Sequence, residues 1–326
     1  MSTSTAPARS GRKDEPEVTR HARKGKPALS DRARSERALG WKLAGPAFLV
    51  MLAVTAYPIV QAIWLSFFRY RLTDPDAREF TFLGNYAVIF TDPVFYRALG
   101  NTLFITVVTV AVELVLGFAI AMLMHRIVLP RRTLRTIVLI PYSIITVVSA
   151  FAWLFSFRTD TGYVNHWLNA LTFGVWDATF DWFGSWLPAM SVIMISEIWK
   201  TTPFMSLLLL AGLAQIDSAM EEAAKVDGAT FWQRLFKVIL PNMKAAIMVA
   251  VLFRTLDAFR IFDNVFIMTR GANNTETLST LAYAQTIDRV EIGMGSALSV
   301  VLFLLVFAIA AIFIKGFNVD LAGSKR

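Results

Sequence analysis

The sequence has no cysteine, only three histidines and few charged residues. Without cysteine, a disulfide, a thiolate nucleophile and a cysteine-ligated metal are all excluded. The histidines, His21, His125 and His166, are too few and too scattered to form a metal cluster. Also missing are the phosphate-binding loop Gly-x4-Gly-Lys-[Ser/Thr] and the His-Glu-x-x-His and Gly-x-Ser-x-Gly motifs of hydrolases. We therefore expect a chain that is not an enzyme and that binds no metal or cofactor of its own.

Apolar residues, in contrast, are abundant. Hydrophobic residues make up 56% of the 326 positions and charged residues only 17%, with a mean hydropathy of +0.53, which is too apolar for an ordinary soluble domain. A helix needs about 20 apolar residues to cross roughly 30 Å of hydrocarbon. Six segments meet this condition, at 43–68, 100–124, 134–157, 187–214, 245–269 and 293–315. The sequence thus predicts an all-α, polytopic membrane protein with six transmembrane helices.

Basic residues are distributed unequally between the loops and tails on the two sides of the membrane. Residues 1–42 hold eleven Lys or Arg and lack an apolar stretch, which predicts a disordered basic tail rather than a cleavable signal peptide. The loops after the second and fourth spans and the C-terminal tail at 318–326 are also basic, so the positive-inside rule places them, with both termini, in the cytoplasm. Attraction to anionic lipid headgroups explains the net charge of +8, and we expect no nucleic-acid partner.

A polar insert separates the fourth and fifth spans. Its sequence, EAAKVDGATFWQRLFKVILP at 222–241, predicts a short amphipathic helix from Asp217 to Val226 and a break at Gly228, where positive φ is tolerated. A capping box that begins at Thr230 starts a second helix, from Phe231 to Leu240, which is predicted to end at Pro241. This proline suits either a bend or an early helical position leading into the fifth span. We therefore expect two helices within 215–243, lying across the cytoplasmic face. The simpler interpretation is an interfacial loop without a special role.

The spacing of this insert resembles the coupling motif of binding-protein-dependent ABC importer permeases. From about residue 43 onward the chain is similar to sugar-importer permeases, and 197–212 and 253–264 are similar to those of mycobacterial trehalose importers. The resemblance implies a type I ABC importer permease fold over 43–317. One departure is the segment 270–274, where many relatives have Gly-Gly-Pro. The residues that the resemblance assigns to contact with the ATPase are Glu222, Ala223, Ala224, Asp227, Gly228, Leu240 and Pro241.

The same resemblance implies a set of partners in a bacterial plasma membrane. They are a second homologous permease, a homodimeric cytoplasmic ABC ATPase that carries ATP and Mg²⁺, and an extracytoplasmic sugar-binding lipoprotein. The chain would form half of the pathway for an ATP-driven sugar importer, with trehalose as the expected substrate.

Ionisable residues inside the spans suggest where a solute passes. Glu113, Lys200 and Asp257 fall near the middle of their segments, where a lone charge costs about 2.5–3.5 kcal/mol and normally faces a partner or a wet cavity. A polar stripe follows one side of the fifth span, and Tyr142 adjoins the helix-breaking Pro141. The candidate pathway residues are Tyr142, Trp199, Lys200, Asp257, Phe259, Arg260, Phe262 and Asn264. The alternative is that Arg254–Asp257 and Glu197–Lys200 are structural i,i+3 ion pairs.

Other interpretations remain open from the sequence. An ion-coupled secondary transporter could use Glu113, Asp257 or Asp263 as a proton site. A membrane scaffold without a substrate is the second alternative, although charges in several spans argue against it. The loop at 158–186 holds several tryptophans, which suit either a membrane-interface layer or a surface for a substrate-binding protein.

Overall fold

The computed structural model describes residues 31–126 and 131–316, which are mostly helical. Two strands, β1 (Phe68–Arg71) and β2 (Asp74–Phe80), form a hairpin. A 3₁₀ turn covers Ala272–Asn274, and π-helical turns cover Leu235–Ile239 and Ala284–Asp288. The helices are α1 (Asp31–Leu65), α2 (Gly84–Thr91), α3 (Pro93–Arg126), α4 (Arg131–Ser143), α5 (Thr146–Phe157), α6 (Val164–Leu171), α7 (Trp186–Leu213), α8 (Ser218–Val226), α9 (Phe231–Arg234), α10 (Leu240–Asn242), α11 (Lys244–Ala258), α12 (Asp263–Met268), α13 (Leu278–Tyr283) and α14 (Ile292–Gly316).

Four of these helices, α1, α3, α7 and α14, are long and apolar enough to cross a membrane. Two bent helix pairs raise the number to six if each pair is one span, which agrees with the predicted count. The third predicted span is bent by 78° between Ser143 and Thr146, just after Pro141, whose ring disfavours a continuous helix. The fifth is also discontinuous, because α11 ends at Ala258 and α12 begins only at Asp263.

The first helix begins earlier than the sequence predicted. α1 starts at Asp31, so residues 31–42 are helical and not part of a disordered tail. Ala, Arg, Glu and Leu dominate this stretch, and all four are good helix formers. Residues 1–30 and the predicted C-terminal tail lie outside the described residues, so the disorder and cytoplasmic location of both tails stay predictions.

The core of the unit that begins at Pro58 is built around α3 and α7, which pack along their lengths. Small residues allow the helices to approach closely. A Cβ atom at Gly117 would lie 2.9 Å from Met205 Cγ, and one at Gly212 would lie 2.5 Å from Ala246 Cβ. Such contacts are typical of membrane helix pairs, where association depends on packing rather than on the hydrophobic effect.

The hairpin after α1 was not predicted from the sequence. Phe68 pairs with Phe80 across the antiparallel strands, and Arg71 forms a salt bridge with Glu291, just before α14. Asn85 Nδ2 donates to the carbonyl oxygens of Ser66 at 2.8 Å and Phe68 at 2.9 Å, which joins the hairpin to α2. These contacts connect sequence positions too far apart for a periodicity to reveal.

The segment that departs from the sugar-permease pattern forms a tight turn after α12. Arg270, Gly271, Asn273 and Asn274 all have positive φ, a conformation that Gly and Asn adopt most readily. Asn101 on α3 holds this turn. Its Nδ2 donates to the carbonyl oxygens of Asn274 at 2.6 Å and of Glu276 at 2.8 Å. Asn and Gly thus accommodate the positive φ angles of this turn.

Candidate functional site

The polar insert between α7 and α11 forms the two helices that the sequence predicted. The Asp217 carboxylate caps α8 by accepting from the Ala219 N–H at 2.9 Å. Gly228 follows α8 with φ at +78°, and Thr230 then opens α9 with a capping box in which the Gln233 side chain accepts from the Thr230 N–H at 2.8 Å. The predicted break and capping box are both confirmed.

The second helix of the insert does not end at Pro241. Helix continues from Phe231 through a π-helical turn to Asn242, and the chain then bends by 70° into α11. In the π turn the Leu240 N–H bonds the Leu235 carbonyl, five residues earlier. This wider turn comes immediately before Pro241, whose ring clashes with the carbonyl four residues earlier in a regular α-helix. The π turn thus allows Pro241 to lie inside the helix without this clash.

One face of this insert packs on the protein and the other is open. Leu235 and Ile239 belong to the buried core, whereas Trp232 and Phe236 stay exposed and stack at 6.1 Å. Glu221 joins the two helices, because its carboxylate lies 3.9 Å from Arg234 on α9, while its 3.5 Å contact with Lys225 lies within α8. Of the predicted ATPase-contact residues, Glu222, Ala223, Asp227, Gly228 and Pro241 are exposed, while Ala224 and Leu240 are partly buried.

A second candidate site is a buried charge cluster centred on Arg254 of α11. Its guanidinium is 1% exposed, and the Glu113 carboxylate on α3 is fully buried. Arg254 Nε donates to Glu113 Oε2 at 2.5 Å, and Nη2 donates to Oε1 at 3.0 Å. Charge-assisted bidentate pairing of this kind is strong and directional. It explains how a glutamate can stay in the middle of α3.

The same arginine binds two further carboxylates. Arg254 Nη2 donates to Glu197 Oε1 at 2.7 Å, and Nη1 donates to Asp257 Oδ2 at 2.8 Å. The other Glu197 oxygen accepts from Asn264 Nδ2 at 2.6 Å. The sequence anticipated the Arg254–Asp257 pair but not the long-range ones. Three carboxylates around one guanidinium therefore join α3, α7, α11 and α12.

Lys200 bonds backbone carbonyls instead of Glu197, the partner that helical spacing suggested as an alternative. Glu197–Lys200 is not among the salt bridges of the described residues, since Glu197 is occupied by Arg254 and Asn264. Lys200 Nζ instead donates to the carbonyl oxygens of Ile144 at 2.8 Å and Tyr142 at 3.3 Å. These carbonyls lie at the break between α4 and α5, where helical hydrogen bonds are missing. The Lys200 ammonium thus supplies hydrogen-bond donors to carbonyls that lack helical N–H partners at the break.

Several of these groups, among them Glu197, Asp257 and Lys200, line a cleft of about 540 Å³. Six of the eight predicted pathway residues line it, namely Tyr142, Lys200, Asp257, Arg260, Phe262 and Asn264. Trp199 does not line it and lies against Trp153, and Phe259 is buried in the core with Phe95. Sequence reasoning missed Glu197, Thr201 and Asp263 as lining residues.

The chemistry of the cleft suits a neutral, hydroxyl-rich solute. Carboxylate and amide oxygens can accept from hydroxyl groups, and the Lys200 ammonium can donate to them. The Tyr142 ring stacks on Phe204 at 5.1 Å, which gives the cleft a flat aromatic wall. A flat aromatic surface of this kind can pack against the C–H face of a sugar ring.

Comparisons with known proteins agree with this architecture. Residues 113–319 match the family described as the binding-protein-dependent transport system inner membrane component. The trehalose transport system permease protein SugA of Mycobacterium tuberculosis is 47% identical over 89% of this chain and 92% of its own length. The sulfoquinovosyl glycerol transport system permease protein SmoG of Agrobacterium fabrum is 35% identical over 86% of this chain and 90% of its own.

A solved structure shows the same fold. The crystal structure of a bacterial ABC transporter that imports alginate includes a chain that matches with a TM-score of 0.74 at 20% identity, covering 89% of this chain and all of that one. The predicted all-α permease fold and the resemblance to sugar-importer permeases are thereby confirmed. The chain belongs to the family of binding-protein-dependent transport system inner membrane components and has the fold of an ABC importer permease.

Proposed function

We propose that this chain is one permease subunit of an ATP-driven importer of trehalose and that it forms half of the translocation pathway. The choice of trehalose as the substrate rests on the 47% identity to a trehalose permease over 89% of the chain. The cleft supports it, because carboxylates, an amide, an ammonium group and an aromatic wall can together replace the water around a disaccharide.

The proposed partners are a second, homologous permease, a cytoplasmic ATPase homodimer that holds ATP and Mg²⁺, and an extracytoplasmic sugar-binding lipoprotein. The sequence lacks a phosphate-binding loop, so energy from ATP has to come from another subunit. A related importer for alginate has been crystallised in complex with a substrate-bound periplasmic protein, which supports the last of these partners.

In this proposal α8 to α10 act as a lever between the ATPase and the cleft. The exposed Glu222 face of α8 would dock on the ATPase, and the Glu221 contacts would keep α8 and α9 moving together. Beyond the bend at Met243, α11 leads directly to Arg254, which lies about 15 Å further at 1.5 Å per residue. A displacement of the lever would therefore reach the carboxylates that line the cleft.

The ion-coupled alternative is less well supported. Glu113 and Asp257, two of its proposed proton sites, are both paired with Arg254, and the family is defined by transport with a binding protein.

The test is transport by the complex in proteoliposomes. The chain is purified with its co-expressed ATPase and second permease, and labelled trehalose is supplied with the binding protein. We expect uptake that needs internal ATP and survives a proton ionophore, with maltose and glycerol phosphate competing weakly. Uptake abolished by the ionophore but indifferent to ATP would refute the ATP-driven function. ATP-dependent uptake in which maltose or glycerol phosphate outcompetes trehalose would refute the substrate alone.

A further inference from the structure

The loop between α5 and α7 carries a short helix whose apolar side faces away from the protein. α6 buries Asn165, which is 2% exposed, while Tyr163 and Trp167 are 49% and 64% exposed. Tyr163, Trp167 and Leu171 follow one another at four-residue spacing, so they share one face of α6. The helix thus turns its polar Asn165 inward and leaves an apolar stripe exposed.

The loop is held in this orientation by Asn165. Its Oδ1 accepts from Trp182 Nε1 at 2.8 Å and from Trp176 Nε1 at 3.3 Å, and its Nδ2 donates to the Phe180 carbonyl at 2.8 Å. The Trp176 and Trp182 rings stack at 5.6 Å. Two of the tryptophans that the sequence offered for a membrane-interface layer therefore serve the internal structure of the loop. The outward stripe is a separate set of residues.

The apolar stripe continues into the turn that follows α6. Phe173 is 97% exposed and Val175 is 87% exposed, on either side of Gly174. Phe173 has φ at +53° and Gly174 has φ at +88°, so the turn projects a bulky aromatic in a conformation that non-glycine residues seldom adopt. We define Tyr163, Trp167, Leu171, Phe173 and Val175 as the apolar tip.

We infer that the apolar tip lies in the headgroup and upper acyl region of the lipid bilayer, on the side of the membrane opposite the α8–α10 lever. Both ends of the loop are ends of membrane segments, since α5 completes a bent span and α7 begins another. The loop therefore leaves the bilayer surface at Phe157 and returns to it at Trp186, and the tip lies within the reach of that surface. The loop precedes the N-terminal end of α7 and the lever follows its C-terminal end, so this membrane helix lies between them.

The chemistry of the tip selects lipid over a protein partner. Residues 161–176 contain no Asp, Glu, Lys or Arg, so the tip carries no fixed charge that would have to lose its hydration on entering the headgroup and acyl region. Tyr and Trp are enriched at membrane interfaces, because their rings are apolar while their O–H or N–H groups reach water. Leu, Phe and Val beyond them match the apolar face of an interfacial helix. The tip would fix the loop against the bilayer while the spans move.

The absence of cysteine makes a direct test possible. Phe173→Cys is labelled with an environment-sensitive fluorophore in the purified complex, which is placed in nanodiscs of phosphatidylcholine and phosphatidylglycerol. Thr179→Cys, at an exposed polar position of the same loop, is the matched control. We expect nitroxide-labelled lipid to quench the label at 173 several-fold more than the label at 179, and iodide in the buffer to show the opposite order.

Three results would overturn the inference. Equal iodide quenching at both positions would place the tip in water. Protection at 173 only after the binding protein is added would assign the tip to that protein. Protection from both quenchers without it would assign the tip to a neighbouring subunit. Because position 173 makes no buried contact, the substitution does not threaten folding, and Leu171→Cys provides a second reading of the same surface.

Discussion

Arg254 on α11 holds Glu113 on α3 in a bidentate hydrogen-bonded pair, although 141 positions separate the two residues in the sequence. Thr201 Oγ1 on α7 donates to the same carboxylate at 2.8 Å. The contact fixes three membrane helices to one another beside the cleft. A buried charge without such partners would destabilise the fold strongly, because the low-dielectric interior does not replace its lost hydration.

Arg254→Met is expected to destabilise the protein severely. The substitution keeps an unbranched apolar stem but leaves Glu113 and Glu197 buried without their cation, and removing one partner of a buried pair costs about 3–5 kcal/mol. The measurement is thermal unfolding of the purified complex in nanodiscs. Arg260→Met is the control, since Arg260 is exposed and, among the described residues, its guanidinium bonds the Leu256 carbonyl at the end of α11.

The double variant Glu113→Gln/Arg254→Gln separates loss of a charge pair from loss of packing. Two amides at these positions can still exchange hydrogen bonds without a net charge, so we expect partial recovery relative to Arg254→Met. Equal melting temperatures for Arg254→Met and Arg260→Met would show that the pair contributes nothing to stability.

Lys200→Met is expected to lower both the unfolding temperature and the transport rate. The Tyr142 and Ile144 carbonyls would lose their donor at the break between α4 and α5, and an unsatisfied buried polar group costs about 1–3 kcal/mol. Lys200→Arg keeps a cationic donor and should retain most of the stability. The two variants are compared by thermal unfolding and by trehalose uptake. A methionine variant as stable as the arginine variant would contradict the role of Lys200 at the break.

The sequence predicts well what depends on local pattern and poorly what depends on distance. The capping box at Thr230 and the break at Gly228 follow from neighbouring residues, and both are present. The Arg254–Asp257 pair follows from helical spacing. No periodicity relates Arg254 to Glu113, or Lys200 to the Ile144 carbonyl, because helix packing decides those contacts. Phe259 was a pathway candidate because it is aromatic and close to Asp257 in sequence, and helix packing places it in the core with Phe95 instead of at the cleft.

Gly212→Ala is expected to weaken the packing of α7 on α11. The new Cβ would lie 2.5 Å from the Ala246 Cβ, so the helices would have to separate, and overpacking of this kind costs about 1–3 kcal/mol. Gly100→Ala on α3 is the matched control, because no heavy atom of the described residues lies within 4 Å of its new Cβ. Both changes improve helix propensity by the same amount. The unfolding temperature should therefore fall for the first variant and stay level or rise for the second.

Glu222→Lys is expected to uncouple the complex without unfolding it. Glu222 is exposed on α8, and surface substitutions usually change stability by less than about 0.5 kcal/mol. Reversal of its charge would oppose docking on the proposed ATPase, since like charges in an interface are unfavourable. The ratio of trehalose taken up to ATP hydrolysed measures the effect. Glu222→Gln, which keeps the shape and removes only the charge, should give an intermediate ratio, and wild-type coupling by the lysine variant would exclude this residue from the interface.

Gly228→Pro is expected to disconnect the two helices of the lever. Gly228 has φ at +78°, whereas proline is fixed near −65°, and its N–H, which bonds the Lys225 carbonyl at 3.1 Å, would be lost. The angle between α8 and α9 would therefore change. Gly228→Asn is the control, because asparagine tolerates positive φ and, within the part of the chain that the structure describes, no heavy atom lies within 4 Å of the added Cβ. We expect both variants to reach the membrane in normal amounts, as measured by immunoblotting of membrane fractions. Only the proline variant should lose ATP-dependent uptake. Equal uptake by the two variants would mean that the angle set at Gly228 does not transmit the motion of the ATPase to α11.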